Sequence, residues 1–200
     1  RMWHQLDEIE LPNVLTECFQ AAQTALKLCN EVTSLEKNLI FALAKRHPSD
    51  QAPDDFSIWD DNYATAMRDM NKKYPDNQDV CALFAEAIMS RTPWQLWDLN
   101  TGMPKVGAAT IEAKEALEKA IEIMELNGSP PHAGLLHYYI HVMEMSPTPE
   151  AALRAGDLMR TLVPDCGHLL HMPTHIDFQC GNYNDVVTRN SEAIEADKKV

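Results

Sequence analysis

The chain has 200 residues, 45% of them hydrophobic and 24% charged, the balance of one folded domain of ordinary size. Seventeen basic against thirty acidic residues give a formal charge of −13, which excludes a phosphate-backbone partner, because counterion release needs clustered Lys and Arg. The longest uncharged run, 126–143, holds two prolines and three histidines, so no membrane helix lies there.

Helical spacing recurs along the whole chain. Leu15, Phe19, Ala22, Leu26 and Cys29 follow three- and four-residue steps and predict a helix over about 13–30. A second is expected over 35–45, closed by His47-Pro48. Further helices are expected near 58–73, 79–90, 108–127, 133–145, 150–162, 168–180 and 183–198. The breaks carry turn chemistry, such as Tyr74-Pro75-Asp76-Asn77 and Asn127-Gly128-Ser129-Pro130-Pro131. No segment alternates like a strand. The expectation is all-α.

Five cysteines without a Cys-x-x-Cys pair point to reduced thiols rather than a disulfide scaffold or a thiolate zinc site. With no signal-type apolar run at Arg1-Met2-Trp3-His4, a cytoplasmic protein is the default expectation. The chain starts without Met and ends on a helical pattern, so a segment of a longer protein is also expected.

One stretch, 91–106, breaks the rhythm with Trp94, Trp97, two prolines and a glycine. Read blandly, it is a connection whose indoles plug onto the core. The functional reading is a loop that walls a pocket, with Asp98 holding an indole N–H or a histidine.

Sliding the sequence by about 34 residues, the period of one class of helical repeat, places His137 on His171, His141 on His175, Leu135 on Leu169 and Leu136 on Leu170. Two repeats result, 133–166 and 167–200, within a single domain spanning 1–200. This part resembles tetratricopeptide-like helix pairs, and Gly181-x-Tyr183 followed by Ala193 matches that pattern for the turn and second helix. The resemblance implies a right-handed α-α superhelix. It also implies that His137, His141, His168, His171 and His175 line the concave groove, with Leu136, Ile140, Leu170 and Thr174 packed behind. The motifs His137-Tyr138-Tyr139-Ile140-His141 and His171-Met172-Pro173-Thr174-His175 are similar to a family of bacterial and fungal tetratricopeptide-like proteins of no settled activity.

Spacings of three and four put these imidazoles on one face of each helix. Two His-x-x-x-His pairs suit zinc or copper, iron less, with one or two ions undecided. The expected ligands are His137, His141, His171, His175, His168 and His132. Glu144 is the expected base, and Trp94, Trp97, Tyr138 and Glu86 the expected pocket. His4 and His47 read as ordinary satisfied side chains.

Two functions are compatible with this set. One is a metal-dependent oxidoreductase or hydrolase acting on a small organic substrate, through a metal-bound water or a redox metal. The other is a non-catalytic scaffold that grips a peptide or protein partner.

Overall fold

The structure, a computed structural model, describes residues 3–199, apart from the side chain of His4. It is helical throughout. Among the described residues the sole extended pairing is an isolated bridge between Trp97 and Pro104. The chain divides between Pro75 and Asp76 into two compact units, where the sequence suggests one domain.

The first unit contains α1 (Glu10–Leu28), α2 (Ser34–Arg46) and α3 (Ser57–Lys73), with α1 packed on α2 and α2 on α3. α2 begins with a capping box. Thr33 accepts from the Glu36 amide, and the Glu36 carboxylate accepts from the Thr33 amide at 2.8 Å. This satisfies two amides that the helix itself leaves without partners. Trp3 stacks on Phe56 and meets Trp59 edge-on, forming an aromatic core with Leu15.

The second unit holds α4 (Gln78–Met89), α5 (Thr110–Leu126), α6 (Ala133–Met143), α7 (Leu153–Met159), α8 (Gly167–His171), α9 (Pro173–Gln179) and α10 (Tyr183–Asp197). α4, α5 and α6 pack mutually; α6 then meets α7 and α9, and α10 covers α8 and α9. The segment 133–166 thus holds α6 and α7, and the segment 167–200 holds α8, α9 and α10. The second helix of the earlier repeat is shorter than its sequence pattern suggests. A 3-10 turn over Pro149–Ala152 leads into α7, which ends at Met159.

The positions assigned to packing are buried: Leu136, Ile140 and Ala152 at 0%, Thr174 at 3%, Ala193 at 5% and Leu170 at 6% exposure. Arg160, at the end of α7, donates two hydrogen bonds to Asp177 of α9 at 2.8 and 2.9 Å. Asp177 is buried, so this pair ties the two repeats together inside the unit. At the end of α5, Gly128 adopts φ +61, and the Ser129 amide returns to the Met124 carbonyl at 2.9 Å. That left-handed position favours glycine and closes the helix. All five cysteines are free thiols, Cys29 and Cys81 buried and the rest half-buried.

Candidate metal centre

α6 presents the site because its other faces are committed. Leu135, Leu136, Tyr139, Ile140, Val142 and Met143 are buried, which leaves 137, 141 and 144 on the remaining face. On the neighbouring repeat, the break at Pro173 splits one helix into α8 and α9. Proline has no N–H, so the α-helical ladder stops there and the His175 amide instead reaches the Met172 carbonyl at 3.2 Å. His171 and His175 remain on one side, their rings 4.7 Å apart.

Three imidazoles form the tightest group. One ring nitrogen each of His137, His141 and His168 lies within 4.8 Å of the others. His137 Nε2 and His168 Nε2 are 3.1 Å apart. Glu144 links this trio to the second histidine pair. Its Oε1 is 3.2 Å from His141 Nδ1 and its Oε2 is 2.5 Å from His175 Nδ1. Burial pushes the Glu144 carboxyl up, but hydrogen bonds from His141 and His175 outweigh it and bring it down to about 2. Burial, followed by the neighbouring His141 and His168, pushes His137 down to about 3. His168 is lowered too, by burial and then by the nearby imidazoles. The face is a cluster of imidazoles around one carboxylate, a donor set that fits a zinc-class or copper ion.

The four histidines of the matched pairs do not share a single centre. His168 joins His137 and His141, while His171 and His175 face each other at 2.9 Å between Nε2 atoms. His132 takes no part. Its Nδ1 accepts from the Leu135 amide as the N-cap of α6, and its Nε2 meets Asp79 at 3.0 Å, so both ring nitrogens are used. Glu144, the expected base, has both oxygens engaged by imidazoles, those of His141 and His175.

The pocket residues separate as well. Trp97 is buried, and its indole N–H donates to the Val142 carbonyl at 2.6 Å. Trp94 is 62% exposed and lines a cleft of about 440 Å³ with Glu144, His171, His175 and Phe178. Tyr138 lies against the His137 ring, centroids 4.8 Å apart. Glu86 accepts from Ser90 Oγ at 3.4 Å and is not among the residues lining that cleft. Asp98 holds neither indole nor histidine; it accepts from the Asn100 and Thr101 amides within its own turn.

Asn190 was not anticipated. Its Oδ1 lies 2.6 Å from His171 Nδ1. One signal for it exists in the sequence: a polar residue on the stripe of α10 that otherwise carries Val186, Ala193 and Ile194. His47 is also not the satisfied side chain expected, since its buried Nδ1 has no hydrogen-bond partner. The side chain of His4 lies outside the described residues.

No protein-family model matches the sequence, and no curated protein matches it. Solved structures do. The chain is similar to one named MamA MSR-1 C2, with a TM-score of 0.55 and 13% identity, covering 96% of this chain and 97% of that one. It is also similar to a structure of a MamA point mutant, with a TM-score of 0.54 and 12% identity, covering 96% and 93%. Both are tetratricopeptide-like helical-repeat proteins, so the likeness shows an all-α fold of that class. It also corrects the expectation of a small-molecule substrate, because the neighbours belong to a class of protein-interaction scaffolds. Such repeats present extended surfaces to other chains. No described helix is long and apolar enough to cross a membrane. This chain has an all-α, tetratricopeptide-like fold with a histidine trio on one face of its second unit.

Proposed function

We propose that the chain is a tetratricopeptide-like scaffold that docks a peptide or protein partner on the histidine face of its second unit, with a zinc or copper ion held by His137, His141 and His168. The observation that carries this reading is the trio itself, three imidazole nitrogens within 4.8 Å on a half-exposed helical face. Three protein ligands leave a tetrahedral ion one open position, which a donor group of the docked partner can complete. The adjoining cleft supports the docking part. Trp94 and Phe178 stand 62% and 58% exposed beside it, large apolar surfaces of the kind that anchor a partner chain. The resemblance of the two histidine motifs to tetratricopeptide-like proteins fits the same reading.

Metal analysis of protein purified without a nickel column tests the first half. At least one ion per chain is expected, with loss of that ion in His137→Ala; an unchanged metal content in the variant removes the metal from the account. The second half is tested by selecting displayed random peptides on the zinc-loaded chain. Selected peptides should bind more weakly after chelation and after Trp94→Ala. Peptides indifferent to both changes would place docking elsewhere.

A further inference from the structure

The His171 and His175 rings are locked by their outer nitrogens. His171 Nδ1 lies 2.6 Å from Asn190 Oδ1. The Asn190 amide cannot be turned round, because its Nδ2 donates to the Val186 carbonyl at 2.9 Å. An amide oxygen only accepts, so the His171 proton sits on Nδ1. His175 Nδ1 lies 2.5 Å from Glu144 Oε2, and a carboxylate also only accepts, so His175 is protonated on Nδ1 as well. A neutral imidazole has one ring proton. When both rings are neutral, both Nε2 atoms are then bare lone pairs, and they face each other at 2.9 Å. Two acceptors at that distance repel unless a positive centre lies between them.

We propose that His171 and His175 form a second seat for a zinc-class divalent cation, separate from the His137, His141 and His168 trio, with Glu144 holding one imidazole of each seat. The proposal rests on the metal reading above. Two nitrogens bound to one tetrahedral zinc stand about 3.3 Å apart, so the observed gap needs to open by only a few tenths of an ångström. Ligand histidines normally donate their other N–H to a carboxylate or carbonyl, and Glu144 and Asn190 fill that role here. The shared carboxylate gives the two seats a physical link, since its Oε1 meets His141 and its Oε2 meets His175. The remaining positions of this second ion open onto the cleft beside Trp94 and Phe178, where water or a donor from the docked chain completes them.

The test is zinc titration of chelator-stripped protein at neutral pH, read by calorimetry and by metal analysis after gel filtration. The parent should take two ions, His137→Ala one, His171→Ala one, and the double variant none. A parent that binds one ion, lost in His137→Ala and kept in His171→Ala, overturns the second seat and leaves the trio standing. A single ion lost in either variant overturns the separation into two seats. A parent that binds no zinc overturns both readings. If His171→Ala loses its helical circular dichroism, Asn190→Leu takes its place, because it removes the Nδ1 acceptor and leaves both rings intact. That variant should weaken the second ion about 10-fold and leave the first within about 2-fold. An unchanged second affinity overturns the assignment.

Discussion

His47 in the first unit and His137 in the second are both pushed well below the ordinary imidazole range, to about 4 and about 3, and burial leads in each. The next cause differs. For His47 it is the adjacent Arg46; for His137 it is the imidazoles of His141 and His168. Around His47 stand apolar walls, with Trp3 edge-on at 5.4 Å and a cavity of about 380 Å³ that Leu6 and Val14 also line. Around His137 stand further ring nitrogens, one of them 3.1 Å away. A lowered pKa therefore reports burial. Converging lone pairs report a site.

The strongest way to sharpen this contrast is to loosen the frame of the second unit alone. Asp177→Ala takes the buried carboxylate from the Arg160 guanidinium, whose side chain is 10% exposed, and leaves it only the exposed Asp157. Such a break costs roughly 3–5 kcal/mol, to be read from urea unfolding. Zinc affinity should fall as well, because the pair fixes α9 and with it His175. A loss below about 1 kcal/mol would mean that the pair is screened like a surface contact.

Next in size is the effect of the metal on stability. Zinc at 100 times its dissociation constant should stabilise the parent by about 2.7 kcal/mol. His137→Ala should lose the part of the gain that the trio contributes in a thermal scan and keep the part from the His171 and His175 seat, whereas His47→Ala should keep all of it. Equal gains in the two variants would break the comparison.

A smaller effect is expected at Trp97→Phe. The indole N–H meets the Val142 carbonyl, which lies in the last turn of α6 where helix carbonyls run out of partners. Leaving that acceptor unmet should cost about 1–2 kcal/mol in the same urea experiment.

The last effect belongs to His47 and depends on pH. Its folded pKa of about 4 lies below the ordinary 6.5, so between these values the unfolded chain takes up the proton and the folded chain does not. The stability this group contributes is fully present above pH 6.5 and is lost as pH falls through 4. His47→Leu should flatten the decline over that window. A variant as acid-sensitive as the parent there would assign the loss to other groups.

Much of this molecule could be read from sequence, and the exceptions have physical causes. Periodicity located the helices because each buries a stripe at three- and four-residue steps. The 34-residue register placed His137 with His171 and His141 with His175, but it could not say which rings meet. That depends on the break at Pro173, which moves His175 relative to His168 and leaves His168 beside α6. His132 looked like a sixth ligand because it shares the composition of the cluster; its position at the N-cap of α6 decides otherwise. Asn190 escaped notice because its partner, His171, lies on a different helix, and long-range pairing leaves no trace in local spacing.

X-ray absorption of protein loaded with a single equivalent of zinc tests the central claim most directly. The account predicts a first shell with three imidazole nitrogens at about 2.0 Å, plus one lighter or exchangeable ligand. That three-imidazole shell should give way to one with at most two imidazoles in the His137→Ala, His168→Ala double variant and persist in His47→Ala. A shell of oxygens alone, or a histidine shell unchanged in the double variant, would contradict it.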